Sequence, residues 1–182
     1  DKVAIVGLGS IGRRHLRVLK TIRPEIEISA VRSGLGETCT EQDLCTNVFS
    51  DLRQAIEEGV QAAIVASPAT EHIEQAMVLA EAGVHLLVEK PLSHNAENNS
   101  KLVETVGTNG IVGLLGYTLR HDKAAIEFKK KLEQGLLGSL LHIRVECGSY
   151  LPSWRTHQDY KKSVSAIASS GGGVLLELSH EL

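Results

Sequence analysis

The sequence predicts an α/β protein: a doubly wound parallel sheet, followed by the opening of an α+β, mostly antiparallel open-sheet domain. Three observations predict it. Short runs rich in Val and Ile are separated by segments of helical period, the pattern of a parallel sheet covered on both faces by helices. A glycine-rich loop follows the first run and opens the first helical segment. The last run alternates apolar with polar residues instead of being apolar throughout.

In chain order, Val3 to Val6 reads as the first strand and Ile11 to Thr21 as the first helix. Ile26 to Val31 is the next strand, Asp51 to Glu58 the next helix, and Ala62 to Ala66 the strand after it. Ile73, Ala76, Met77 and Ala80 fall at i, i+3, i+4 and i+7, and Gly83 supplies a natural stop, so this segment is an amphipathic crossover helix. The strand His85 to Glu89, a helix over Ala96 to Thr105 and the strand Ile111 to Leu115 complete the β-α-β-α order.

The helix predicted over Asp122 to Gln134 is closed by Gly135. In the sixth run, Leu141, Ile143, Val145 and Cys147 alternate with His142, Arg144, Glu146 and Gly148, as in a strand with one wet face. The change of pattern puts a boundary near residues 117 to 122 and predicts two domains, 1–120 and 121–182. Tyr150 to Gly173 has few apolar residues and no clear period, and reads as a long functional loop. The second domain is thus represented by about one strand, one loop and part of a helix, so the chain is expected to be a fragment.

Composition excludes several classes. The chain has 182 residues, 42% hydrophobic and 23% charged, the balance of a globular protein with a real core. Its net charge is −3 and its longest basic stretch is Lys129, Lys130 and Lys131, which argues against nucleic acid as a partner. No apolar run approaches the length of a membrane span and no signal-peptide layout opens the chain, so a cytoplasmic protein is expected. Cys39, Cys45 and Cys147 have neither disulfide-framework nor zinc-site spacing, so no metal is expected and the thiols are read as buried or incidental.

The loop Gly7, Leu8, Gly9, Ser10, Ile11, Gly12 matches GxGxxG in the strand-to-helix context that a Rossmann-type dinucleotide site requires. Gly7 permits the tight turn, Gly9 lets backbone N–H groups approach a pyrophosphate, and Gly12 allows close helix–strand packing. A structural glycine turn, or the nucleotide loop of a methyltransferase, is the competing reading. About 20 residues further on, an NAD site usually carries an acid on the ribose 2′-hydroxyl. Here that place holds Val31, Arg32 and Ser33. Arg32 and Ser33 can bind a 2′-phosphate, which favours NADP(H), with NAD(H) as the alternative. Glu89, Lys90 and Pro91 stand where a strand ends, the edge at which open α/β sheets bind ligands. Lys90 there can reach a nicotinamide ring as an acid or base, and Pro91 would fix the strand's exit, with a cis bond as one way to do so. A solvated lysine is the bland alternative.

Taken together, the glycine loop, Ser67 and Pro68 with His72, Glu89-Lys90-Pro91, Tyr117 to Arg120, and Gly171 to His180 resemble the Gfo/Idh/MocA oxidoreductase family. The resemblance implies an N-terminal dinucleotide domain and a C-terminal open sheet that carries the substrate site and joins subunits into a homo-oligomer. It implies hydride transfer between NAD(P) and a hydroxyl or carbonyl carbon of a sugar, amino sugar or cyclitol. Carried over by position, Lys90 matches the family's catalytic or substrate-orienting lysine and His180 its second-domain histidine. Glu177 stands one residue nearer to His180 than the acid many members carry; at i and i+3 the two share a helix face, so Glu177 is a candidate to hold His180 in one tautomer. Pro68 and His72 match residues near the cofactor, with a helix-cap role open for His72.

Arg120, Trp154, Arg155 and Tyr160 are candidate substrate contacts, Trp154 offering an aromatic face to a sugar ring. The expected chemistry is removal of a carbinol proton by His180, helped by Lys90, as hydride passes to the nicotinamide. The rival from another class is a non-catalytic dinucleotide-binding regulator or scaffold of the same fold.

Overall fold

The computed structural model describes residues 1–34, 36, 38–154 and 159–179. The chain divides into two units, 1–115 and 116–182. In the first, the elements run β1 (Lys2–Val6), α1 (Ser10–Ile22), β2 (Glu27–Val31), β3 (Asn47–Phe49), α2 (Leu52–Glu57), β4 (Ala62–Val65), α3 (His72–Glu81), β5 (His85–Val88), α4 (Asn99–Thr108) and β6 (Gly113–Leu115), strand and helix alternating except that a 3₁₀ turn joins β2 to β3. All neighbouring strands are parallel, in the order β3-β2-β1-β4-β5-β6. The order reverses beside β1, which pairs with β2 on one side and β4 on the other. This is the doubly wound Rossmann-type sheet predicted from the apolar runs.

Side chains alternate along each strand, and the two sets feed separate cores on opposite faces of the sheet. Ala4, Val6, Ala63, Val65, Leu86 and Val88 join Ala76, Leu79 and Ala80 of α3 and Leu102 of α4. Ile5, Ile28, Ala30 and Ile64 instead meet Leu16 of α1, with Cys39 and Cys45 at the margin. Burial, with the neighbouring Cys39 adding to it, pushes the Cys45 thiol above its ordinary range.

Local chemistry sets the element ends. Asp51 accepts from the Arg53 amide at 2.8 Å while Gln54 accepts from the Asp51 amide at 3.3 Å, a reciprocal cap that starts α2. The helix predicted from Ala96 starts instead at Asn99. Asn95 Oδ1 accepts from the Glu97 amide at 2.9 Å and Asn98 adopts φ 59°, so polar side chains build a turn where the helix would have begun. The sequence reading had no counterpart to β3, a three-residue edge strand with Val48 exposed, too short to show a period.

The second unit contains α5 (Lys123–Glu133), capped by Asp122 through the Ala125 amide at 2.9 Å, and α6 (Val174–Leu178). The predicted strand over Leu140 to Cys147 is not formed: these residues make no ladder, and Leu141, Ile143 and Val145 are exposed. Alternation describes what a strand would bury, but a strand exists only where another pairs with it, and no described residue of this unit does. The loop after Tyr150 is a series of short 3₁₀ turns, at Leu151–Ser153, Tyr160–Lys162, Val164–Ala166 and Ala168–Ser170. It closes on the glycine run, where a Cβ on Gly172 would lie 2.1 Å from the Val164 carbonyl oxygen. No described helix is long and apolar enough to cross a membrane.

Candidate functional site

Parallel pairing brings the C-terminal ends of β1, β4 and β5 to one edge of the sheet. The glycine loop, Ser67-Pro68 and Glu89-Lys90 therefore emerge side by side. Gly7 has φ +89°, and a Cβ there would lie 2.9 Å from the Ala66 carbonyl oxygen and the Ser67 backbone. Its amide donates to the Val31 carbonyl at 2.9 Å, tying the loop to β2. Gly12 leaves no room for a side chain, since its Cβ would fall 1.9 Å from the Gly7 carbonyl oxygen. Gly9 is different: nothing lies within 4 Å of its would-be Cβ. Gly9 caps α1 without a side-chain hydrogen bond, and the first turn of α1 carries no acid. Ser10 is exposed, and Ile11 is half-buried against the core below. An open glycine before uncapped first-turn amides is a cradle of the kind that fits a dinucleotide pyrophosphate.

Arg32 follows β2. Its amide donates to the Phe49 carbonyl at 2.9 Å, and its guanidinium donates to Gln42 Oε1 and, at 3.4 Å, to the Gly36 carbonyl. With Gln42, Phe49, Ser50 and Gln54 it lines a cavity of about 400 Å³. Ser33 is exposed beside it.

His72 opens α3 and is 1% exposed. Its Nδ1 stands 2.8 Å from the Pro91 carbonyl oxygen and its Nε2 2.8 Å from that of Ser67. Carbonyl oxygens only accept, so the neutral ring donates to one of them and the protonated ring to both. His72 is therefore no cap but a clasp between the loops after β4 and β5. Ser67 Oγ donates to Gln75 Oε1 at 2.6 Å, and Pro68 accepts from the Glu71 amide at 2.9 Å.

Glu89 is 6% exposed, and its Oε1 lies 2.6 Å from His15 Nε2 on α1. Its Oε2 accepts from the Lys90 amide at 3.2 Å. Burial pushes the Glu89 carboxyl up, but the His15 hydrogen bond and charge, followed by the Lys90 amide and ammonium, together hold it below the usual carboxylate range. Lys90 is half-buried, and the Lys90–Pro91 peptide is cis.

Arg120, Trp154, Tyr160 and Glu177 belong to the second unit. Arg120 lies within the 3₁₀ turn Thr118–His121, in the exposed region before α5. Trp154 donates from Nε1 to Ser149 Oγ at 2.6 Å, and with Leu151 and Tyr160 it borders a cavity of about 10 Å³. Glu177 is half-buried on α6. Arg155 and His180 lie outside the described residues. Sequence reasoning missed His15, Gln42 and Gln75. A signal existed for His15: it stands three residues after Gly12 and one before the buried Leu16, on the face of α1 turned to the sheet.

Residues 2–117 match the model of an oxidoreductase family with an NAD-binding Rossmann fold. The chain belongs to the Gfo/Idh/MocA oxidoreductase family. Among its relatives is the levoglucosan dehydrogenase of Pseudarthrobacter phenanthrenivorans, 28% identical over 85% of this chain and 38% of that protein. The 2,7-anhydro-N-acetylneuraminate hydratase of Mediterraneibacter gnavus is 29% identical over 98% of this chain and 46% of that protein. The chain thus spans less than half the length of these two curated relatives. Among solved structures, scyllo-inositol dehydrogenase from Lactobacillus casei with bound NAD(H) and scyllo-inositol superposes with a TM-score of 0.67. It is 25% identical over 75% of this chain and 42% of that one. In this Gfo/Idh/MocA chain the glycine cradle, the His72 clasp and the Glu89-Lys90 turn all lie within the matched residues.

Proposed function

We propose that the full-length protein is an NAD(P)-dependent oxidoreductase acting on a CH–OH or carbonyl carbon of a sugar, amino sugar or cyclitol. The observation that carries this reading is the Glu89-Lys90 turn, joined to the nucleotide helix α1 through His15 and so standing on the same sheet edge as the glycine cradle. The dehydrogenase relatives support it, as does the L. casei structure with its bound NAD(H) and cyclitol.

Gly7, Gly9, Ser10, Ile11 and Gly12 would hold the pyrophosphate through the α1 amides, with Ser67, Pro68 and His72 framing the neighbouring wall. Arg32 and Ser33 favour the 2′-phosphate of NADP(H), because a guanidinium can fork onto a phosphate where a carboxylate would repel it. When bound, the nicotinamide supplies the hydride acceptor or donor. Lys90 orients the carbinol and shares its proton, and His180, with Glu177 holding its tautomer, takes that proton as base. Arg120, Trp154, Arg155 and Tyr160 contribute substrate contacts. Assembly into a homo-oligomer through the C-terminal domain completes the proposal.

The test is turnover by the full-length protein with NAD⁺ and NADP⁺ against scyllo-inositol, levoglucosan and 2,7-anhydro-N-acetylneuraminate. Nicotinamide absorbance reads net oxidation, and product analysis reads a reaction that returns the cofactor unchanged. Change in at least one substrate, abolished by Lys90→Ala, is expected. Tight dinucleotide binding with no turnover of any polyol would favour the regulator reading instead.

A further inference from the structure

Lys90 is held on both flanks by histidines from different helices. On one flank Glu89 meets His15 of α1 at 2.6 Å and takes the Lys90 amide at 3.2 Å; on the other, the Pro91 carbonyl stands 2.8 Å from His72 of α3. Glu89 has almost no access to water, so its two oxygens depend on these partners for solvation. A carboxylate with each oxygen committed to a different element works as a rigid bracket.

We propose that His15 is a positioning residue for Lys90. By fixing Glu89 Oε1 from the nucleotide-binding helix, it sets the peptide at position 90 and hence the point from which the lysine side chain leaves the turn. The proposal rests on the reading of Lys90 as the acid–base lysine and goes beyond it in naming what aims that group. The bracket starts three residues after Gly12, so one helix carries both the phosphate cradle and the anchor of the lysine. A carboxylate only accepts, so His15 donates through Nε2. Glutamine at this position can present an amide N–H at similar reach, whereas leucine has no donor and asparagine is too short.

The experiment uses full-length protein with ¹³C-methylated lysines, the Lys90 signal being assigned by its loss in Lys90→Arg. In H15L the Lys90 signal shifts or splits, and in H15Q it overlays the wild type. NADH affinity, read by fluorescence titration, stays within about threefold in both. With the polyol turned over fastest, kcat of H15L falls about 10- to 100-fold at nearly constant KM, the penalty of a misplaced reacting group, and H15Q recovers most of it. An unmoved Lys90 signal in H15L, or no recovery in H15Q, overturns the proposal. So does parallel loss of NADH affinity and kcat, which would assign His15 to the cofactor cradle. Where circular dichroism shows H15L unfolded, H15N replaces it with the same expected outcome. If the wild type turns over no polyol, the proposed function fails while the Lys90 signal still decides the role of His15.

Discussion

The Gly12 Cα faces the Gly7 carbonyl so closely that a methyl group on it would lie 1.9 Å from that oxygen. Gly12 is therefore a packing glycine, whereas Gly9, with nothing within 4 Å, has the open space that the proposed pyrophosphate cradle requires. Gly12→Ala is expected to destabilise the full-length protein by about 1–3 kcal/mol or more, because backbone and not a flexible side chain must yield. Gly9→Ala should leave the melting temperature nearly unchanged and weaken NADH at least about tenfold, since its methyl would occupy space meant for the pyrophosphate. Melting curves and fluorescence titrations on both variants check this; equal behaviour of the two would refute the division.

Arg32→Ala is expected to separate the cofactors. Loss of a charge-assisted contact to the 2′-phosphate is expected to weaken NADPH about 10- to 100-fold while NADH changes by less than about threefold. Equal weakening of both would mean that Arg32 serves the cavity wall with Gln42 and reads no phosphate.

Lys90→Ala is expected to lower kcat by about 10²- to 10⁴-fold, the range associated with a positioned acid–base group, with NADH binding preserved. Retention of most activity would remove Lys90 from the mechanism.

Glu89 gives a pH signature. Its carboxyl in the folded chain lies below the unfolded value of about 4.3, so its contribution to stability is complete above that pH and is lost as pH falls through the folded value. The gap in melting temperature between wild type and Glu89→Gln should therefore be widest near neutrality and close in acid. A gap that stays constant between about pH 7 and pH 3 would show that the carboxylate charge does not stabilise the fold.

His72→Leu keeps bulk but removes the ring nitrogens, and with them every side-chain N–H that His72 can offer the Ser67 and Pro91 carbonyls. A cost of about 1–3 kcal/mol in urea unfolding is expected. A change within about 0.5 kcal/mol would mean that water replaces the clasp at no penalty.

The first unit was legible because its physics is periodic. Ile5 and Ile64 face one core while Ala4, Val6, Ala63 and Val65 face the other, a rule that the apolar runs carry in the sequence itself. β3 was not legible, since three residues hold no period. Leu140 to Cys147 misled for the opposite reason: its period is clean, but pairing is a property of two segments and only one could be read. The glycine loop was readable because each glycine answers a local backbone demand. The His15–Glu89 bond was not, because its partners stand 74 residues apart and meet only after the strand order has been fixed. Lys90 fell between, conspicuous beside its proline yet given a role by resemblance.

The position of β1 between β2 and β4 also governs how the chain is built. Of the six strands of the sheet β1 is synthesised before the others, meets β2 after one helix, and then waits with its other edge open until Ala62–Val65 has been made. Until then the strand that ends in the glycine loop exposes unpaired backbone beside apolar side chains, the condition under which nascent chains associate wrongly. Pairing across that separation closes a longer loop than the β1–β2 pairing does, so β4 is expected to dock later and more slowly than β2. The nucleotide cradle, with Gly7 wedged against Ala66 and Ser67, acquires its far wall only at that step. Cofactor added to arrested nascent chains should thus be captured only by those long enough to have released β4.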